Sequence, residues 1–246
     1  MHSVQAIPSK SAAAIWHGIA FLVLFGALTA RAAEDQFWPE LEGYFKLNDQ
    51  TRTYLKASAT RAEDSDGDDD DPHYKDATLG AHLDFSLRPF MRKALQEEDW
   101  ERNRYLWMRV GYNYIENHRD NGKSYHENRG IVELSLRQPL FDWLTFSERL
   151  KWDIRDIDGR YSNRYRIRFG LESKVQVFGY TTVPYVRAEA FYDTRFDTWN
   201  RDRYQAGMEV TLTPHWRIEP FLARQNDSRS RPEHINALGL IVKYYH

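Results

Sequence analysis

The chain of 246 residues has no cysteine, so it can form neither a disulfide bond nor a thiolate metal site. Its formal net charge is only -2, which gives no electrostatic basis for binding nucleic acid. After residue 33 there is no long apolar run, and this excludes a membrane protein built from spanning helices. No stretch has the composition of a separate domain, so we expect one folded unit.

The first 32 residues have the pattern of a signal peptide. Lys10 supplies positive charge, residues 12–28 form a short apolar run, and Ala30, Arg31 and Ala32 provide a small-x-small cleavage signal. We therefore expect cleavage after Ala32. The alternative is an uncleaved membrane anchor, but the run is short for a spanning helix. An exported chain of this kind has two destinations: an aqueous compartment, or the outer membrane, where only a closed barrel satisfies its backbone hydrogen bonds.

Beyond residue 50, apolar residues alternate with charged or small residues for about ten positions at a time. Residues 78–88 alternate in this way, and so do residues 163–172 and 203–212. Strands of that length span a bilayer when they are tilted. A soluble sandwich also has one buried and one wet face on each strand, so alternation alone does not separate the two folds.

Aromatic residues on the apolar faces favour the membrane. If the C-terminal strand ends in the periplasm, counting hairpins backwards gives the direction of every strand. With these directions, the extracellular end carries Tyr114, Trp152, Tyr165, Tyr192 and Tyr204, and the periplasmic end carries Trp216 and Tyr244. Two aromatic girdles around an aliphatic band are typical of outer-membrane barrels. We therefore predict an all-β fold, a transmembrane antiparallel up-and-down β-barrel in the bacterial outer membrane.

The number of strands follows from a count of the alternating segments. Ten segments alternate from Arg52 to Tyr245, and residues 37–47 resemble an eleventh. An even number returns both ends of the barrel to the periplasm, so we predict ten or twelve strands. Residues 51–246 form the barrel in this scheme, and residues 33–50 form either a first strand or a partial plug of the inner mouth. The long inner connection at residues 89–103 is expected to be helical.

Glu148 does not fit the apolar pattern of its strand. It shares a strand face with the apolar residues Phe146 and Leu150, which lie on either side of it. A carboxylate exposed to acyl chains at that depth is unfavourable. We expect a β-bulge that turns the side chain inward, and the alternative is a contact with another subunit.

Several strings of residues resemble one bacterial family. They are FWPEL at 37–41, LGAHLDFSLRP at 79–89, ENRG at 127–130, YDTRFDTWNR at 192–201, RQNDSR at 224–229 and NALGL at 236–240. The chain is similar along essentially its whole mature length to the uncharacterised outer-membrane barrel family called domain of unknown function 2490. The resemblance implies the fold and the location, and it brings no activity and no functional residue.

The inward-facing parities carry many charges. The candidate lumen residues are Arg149, Lys151, Arg164, Arg166, Arg168, Arg187, Glu133, Glu172, Glu189 and Glu209. The same faces also carry Arg129, Arg137, Asp153, Arg155, Arg203, Arg217 and Glu219. Such a set has two interpretations: long side chains of both signs close a narrow barrel with ion pairs, or a ladder such as Arg164, Arg166 and Arg168 selects anions in an open pore.

Two further groups could carry chemistry. His82, Asp84 and Ser86 share one face of one strand, but alternate residues are about 6.6 to 7 Å apart along a strand, too far for a catalytic relay. We therefore expect no enzymatic activity. The acidic loop with Asp64, Asp66 and Asp68 lacks the glycine and the distal glutamate of an EF-hand, so no defined metal site is expected. Loose binding of a divalent cation there stays open.

The sequence thus leaves two functions: a small-solute channel with a cationic lumen, or a closed, salt-bridged barrel with a structural or ligand-binding role at the cell envelope. An outer-membrane hydrolase is a third, weaker alternative. We expect contacts with outer-membrane lipids and lipopolysaccharide, and with the barrel-assembly machinery during insertion. We expect no nucleic acid and no cofactor, and the oligomeric state stays open.

Overall fold

The computed structural model describes residues 33–62, 73–93, 96, 104–118, 124–229 and 232–246. The predicted signal peptide, residues 1–32, lies outside the described residues. Twelve strands follow one another in the part that is described. In chain order they are β1 (Glu34–Lys46), β2 (Thr51–Ala62), β3 (His73–Ser86), β4 (Leu106–His118), β5 (Ser124–Phe141), β6 (Leu144–Ile157), β7 (Arg160–Glu172), β8 (Val175–Val177), β9 (Tyr180–Asp193), β10 (Thr198–Thr211), β11 (Trp216–Asp227) and β12 (His234–Tyr245).

These strands form a closed barrel, which confirms the predicted fold class. Each wall strand pairs with its sequence neighbours in antiparallel fashion, and β12 then pairs with β1 to close the wall. The strand β8 pairs only with β9, so eleven of the twelve strands form the wall. The even number expected for the wall is wrong, because β1 and β12 run parallel to each other.

The parallel pairing of β1 gives the barrel its odd strand number. Glu34 lies opposite Ile235, and Tyr44 lies opposite Tyr245, so β1 runs in the same direction as the last strand. Residues 33–50 therefore contribute a wall strand and the turn that follows it. Glu34 consequently lies at the end of the barrel opposite His246.

We call the two ends of the barrel the C-terminal end, where His246 lies, and the loop end, where Glu34 lies. Two-residue turns occur at both ends, at residues 142–143 and 158–159. The connection from β3 to β4 lies at the C-terminal end and begins with a 3-10 turn at Arg88–Phe90. Most of the helix expected in residues 89–103 lies outside the described residues. No helix in the described ranges is long and apolar enough to cross a membrane.

The outer surface of the wall is apolar because one parity of each strand carries aliphatic and aromatic side chains. Exposed members of this surface include Leu41, Leu79, Leu134, Leu222 and Leu238. The opposite parity points into the barrel, and there the structure buries charged side chains such as Asp84, Asp153 and Asp193.

Glu148 lies on the outward parity of β6, with Leu136 on one neighbouring strand and Phe169 on the other. The expected β-bulge is absent here, since both pairings continue in unbroken register through this residue. The register of β5 and β6 shifts only between Pro139 and Phe141.

Candidate functional site

The barrel encloses a cavity of about 1250 Å³. Its lining extends from Thr60 near the loop end of β2, and from Arg166 and Arg203 near the middle of β7 and β10, to the turn residue Asp142 and to Tyr245 at the C-terminal end. The wall strands form the cavity because their inward residues are long and polar and do not fill the interior as aliphatic side chains do. We call this space the lumenal cavity.

One lateral row of inward residues crosses the cavity wall with more cations than anions. Arg168 on β7 lies between Arg149 on β6 and Glu189 on β9, and Arg203 on β10 is the other neighbour of Glu189. Glu189 accepts a hydrogen bond from Arg149 Nη2 at 2.9 Å. Arg203 Nε donates to the amide oxygen of Gln225 at 3.1 Å, which is a neutral partner. The row holds three guanidinium groups and one carboxylate.

Arg168 differs from the other two arginines of this row. In the part of the chain that the structure describes, it makes no ion pair and no side-chain hydrogen bond, although it lines the lumenal cavity. Gly170, two residues along the same face, is in close contact with Ser147, whose Oγ would lie 2.7 Å from a Cβ placed on this glycine. A Cβ placed on Gly170 would lie 3.0 Å from Arg187 Cγ, so a larger residue would displace that arginine.

The adjacent row toward the loop end is more fully paired. Arg166 binds the buried carboxylate of Asp153, and Glu133 lies 3.7 Å from Arg149 and 3.9 Å from Lys151. Ion pairs of this kind cost desolvation energy, and their attraction offsets that cost only with good geometry. They hold long side chains in place across strands β5, β6 and β7.

At the loop end of β5, β6, β7 and β9 lies a cluster of ion pairs that we call the loop-end cluster: Glu127, Arg155, Arg164, Asp193 and Arg195. Arg155 donates to Glu127 at 2.7 Å and to Asp193 at 2.9 Å. Asp193 also accepts hydrogen bonds from Arg164 and Arg195, each at 2.8 Å. The Asp193 side chain is 0% exposed and that of Arg155 is 4% exposed. None of these five residues lines the lumenal cavity.

A second group of ion pairs lies at the C-terminal side of the cavity. Glu219 accepts hydrogen bonds from Tyr185 Oη at 2.5 Å, from Arg187 at 3.1 Å and from Lys243. Lys243 also donates to Glu209 at 2.8 Å, and Glu209 pairs in turn with Arg217. These residues line the lumenal cavity and connect strands β9, β10, β11 and β12.

The three residues considered for catalysis do not form a relay. Both oxygens of Asp84 are bound by arginines, with Arg52 Nε at 2.8 Å and Arg109 Nε at 2.6 Å. His82 is buried, and its two ring nitrogens have no hydrogen-bond partner among the described residues. Its ring fits only because residue 111 is glycine: a Cβ there would lie 2.3 Å from His82 Nδ1. Asp84 therefore serves as an anchor for two cations.

Most of the predicted lumen residues surround the same space. Those that line the lumenal cavity are Arg149, Lys151, Arg166, Arg168, Arg187, Glu133, Glu172, Glu189 and Glu209. The exception is Arg164, which is buried in the loop-end cluster. The proposed ladder of three arginines is thus divided, since Arg164 and Arg166 are paired with aspartates and Arg168 is not.

The predicted girdle residues lie on the outward face. Trp152, Tyr165 and Tyr192 lie next to one another toward the loop end, with ring centroids 6.1 and 6.3 Å apart. Trp216 and Tyr244 are neighbours at the C-terminal end, at 4.9 Å. Tyr114 stacks on His126 near the end of β4, and Tyr204 lies midway along β10.

The alternation of the sequence was not used to identify two acidic residues of the loop-end cluster, Glu127 and Asp193. Both lie on the inward parity of their strands, so extending the alternation to the strand ends would have found them. The acidic loop with Asp64, Asp66 and Asp68 lies outside the described residues. Within the described ranges, no group of three or more His, Asp or Glu side chains could hold a metal ion.

Two solved structures are similar to this barrel at low sequence identity. LpxR from Salmonella typhimurium has a TM-score of 0.46 and 10% identity, and the match covers 78% of this chain and 83% of that chain. The beta domain of the Bordetella autotransporter BrkA has a TM-score of 0.41 and 11% identity, with 80% and 83% covered. No curated protein matches the chain in sequence.

The family resemblance predicted from the short strings is confirmed over most of the chain. The model of a family described as "Protein of unknown function (DUF2490)" matches residues 35–236, which include strands β1 to β11 and the start of β12. The chain therefore belongs to the DUF2490 family.

Proposed function

We propose that this chain is an outer-membrane barrel that is closed at its loop end and whose lumen binds a polar solute from the periplasmic side. The observation that carries the proposal is the position of the lumenal cavity. It reaches the strand ends at the C-terminal end, whereas the buried ion pairs of Arg155 and Asp193 lie at the loop end of β6 and β9, outside the cavity lining. A cavity open at one end suits binding better than passage.

The outer surface supports a membrane location. Exposed leucines cover the outward face, and paired aromatic side chains such as Trp152 with Tyr165 and Trp216 with Tyr244 lie toward its two ends. An apolar band between aromatic girdles matches the acyl region and the two interfaces of a bilayer. The partners proposed on this basis are outer-membrane lipids, lipopolysaccharide at the loop end, and the barrel-assembly machinery during insertion.

The loop-end cluster explains why a lumen rich in cations does not by itself make a pore. Glu127 and Asp193 form ion pairs with Arg129, Arg155, Arg164 and Arg195, and the side chains of these carboxylates are 3% and 0% exposed. An ion crossing the loop end would have to separate these pairs. Breaking a buried pair by removing one partner costs about 3–5 kcal/mol. The cluster therefore acts as a barrier that thermal motion opens rarely.

Planar-bilayer conductance of the refolded protein tests this proposal. The wild type is expected to give no ion-conducting steps, whereas the double variant Arg155→Ala with Asp193→Ala is expected to give them, because both halves of the central pair are removed. Arg217→Ala is the control, since it removes a paired cation at the other end of the cavity and is expected to stay silent. Regular conducting steps from the wild type would contradict the closed barrel.

A further inference from the structure

We propose that Arg168 and Arg203 form a subsite for a phosphate-class oxyanion, either inorganic phosphate or a phosphate monoester. This inference rests on the proposed function, since it assigns a ligand to the lumenal cavity. The two arginines lie on either side of Glu189, in one lateral row of the cavity wall.

The charge balance of the row is the first observation. Glu189 is the single carboxylate among three guanidinium groups, and its oxygen accepts from Arg149 at 2.9 Å. Arg168 has no ion pair among the described residues, and Arg203 has only the neutral oxygen of Gln225. Cations held in a low-dielectric wall without anionic partners are unfavourable. A bound anion would offset that cost.

The geometry of the row is the second observation. Arg168 and Arg203 are separated by a single strand, so their backbones are about 10 Å apart, and both side chains point toward the barrel axis. Side chains that converge from a curved wall can reach one ligand between them. A guanidinium presents a planar fork of donors that matches a phosphate or carboxylate, and two forks match an ion with three or four oxygens.

The surroundings favour a small and doubly charged ligand. The guanidinium of Arg203 lies 4.7 Å from the ring centre of Trp38 and 5.5 Å from that of Phe191, which holds its position. A neutral sugar or an apolar solute would leave both guanidinium charges without a partner. A phosphate dianion supplies one negative charge for each arginine.

Calorimetric titration of the refolded, detergent-solubilised protein with inorganic phosphate tests the inference. The wild type is expected to bind, and Arg168→Gln and Arg203→Gln are each expected to weaken the affinity by about tenfold or more, as for loss of a charged hydrogen bond. Arg160→Gln is the matched control, because it removes the same charge from an exposed position outside the cavity lining, and its effect should stay below about twofold. Heat-modifiable gel mobility verifies that each variant forms the barrel.

Arg168→Lys provides a second variant if the glutamine variants do not fold. It retains the positive charge and loses the fork, so the affinity should fall by about threefold. Phosphatidic acid added to the micelles separates the sources of the phosphate group. Competition that disappears in both glutamine variants identifies a lipid headgroup, and no competition identifies a soluble phosphate.

Absence of phosphate binding by the folded wild type, or binding that is unchanged in both Arg168→Gln and Arg203→Gln, overturns the subsite. A wild type that is silent in conductance and binds no phosphate leaves the closed barrel in place and removes only this inference. A wild type that conducts contradicts the closed barrel whatever the outcome of the titration.

Discussion

Glu148 is a carboxylate surrounded by apolar side chains on the outside of the barrel. Phe146 and Leu150 flank it along β6, and Leu136 and Phe169 lie opposite it on the neighbouring strands. In the membrane location that we propose, these neighbours face acyl chains, which are an unfavourable environment for a carboxylate. Its cost is less than that of an arginine or lysine at the same depth.

We therefore expect Glu148→Leu to stabilise the barrel by about 1 kcal/mol in a bilayer. Denaturant unfolding in phospholipid vesicles measures this change in the free energy of unfolding. Glu116→Leu is the control, because Glu116 lies near the loop end of β4, where a charge reaches the interface, and little change is expected there. A loss of stability in Glu148→Leu would instead indicate that the carboxylate has a partner in another subunit.

At the scale of single residues, the sequence predicts some features of the lumen and not others. Arg149, Glu133 and Glu189, which share the inward parity, line the lumenal cavity, because alternation determines the face of each residue. The alternation alone does not predict which of the charged side chains form ion pairs. That depends on the register between strands, which binds Asp84 to Arg52 and Arg109 while leaving Arg168 without an ion pair among the described residues.

At the scale of whole elements, β1 is the strand that determines how the barrel closes. The alternation of residues 37–47 indicated a strand, yet the even strand number assumed for outer-membrane barrels left it without a partner. Its partner β12 lies at the other end of the chain, and a parallel pairing of strands so distant in sequence leaves no local signal. The hairpins, by contrast, follow from adjacent alternating segments.

Engineered cysteines test the closure directly, since the chain has none of its own. Leu41 and Val242 are opposite each other in the parallel register. The double variant Leu41→Cys with Val242→Cys should form a disulfide on mild oxidation, because opposite residues in a ladder lie within bonding reach. A gel shift under non-reducing conditions reports the bond.

The matched control pairs Leu41→Cys with Leu238→Cys, which lies on the same outward face four residues away. It should not crosslink within the same time, since the two backbones are more than 7 Å apart along the strand. Equal crosslinking of both pairs, or crosslinking of the control alone, would contradict the register of β1 and β12.

At the scale of the whole molecule, the parallel pairing of β1 and β12 places Glu34 and His246 at opposite ends of the barrel. Glu34 lies at the loop end and His246 at the C-terminal end, so a barrel that spans the membrane presents them on opposite sides. We expect an epitope inserted between Ala33 and Glu34 to bind antibody on intact cells. An epitope after His246 should be reached only after the outer membrane is opened. Labelling of both epitopes on the same side would contradict the closure or the membrane-spanning arrangement.

We expect the lumen to be accessible from the C-terminal end alone, and sided thiol labelling in proteoliposomes measures this accessibility most directly. Ser147 lines the cavity, and Ser162 is buried beside Arg155 near the loop-end cluster. An impermeant, charged thiol reagent added outside should label Ser147→Cys only in molecules whose C-terminal epitope faces outward, and should leave Ser162→Cys unlabelled in both orientations. Labelling of Ser147→Cys in molecules whose loop end faces the reagent would show an open path through the barrel and contradict the account.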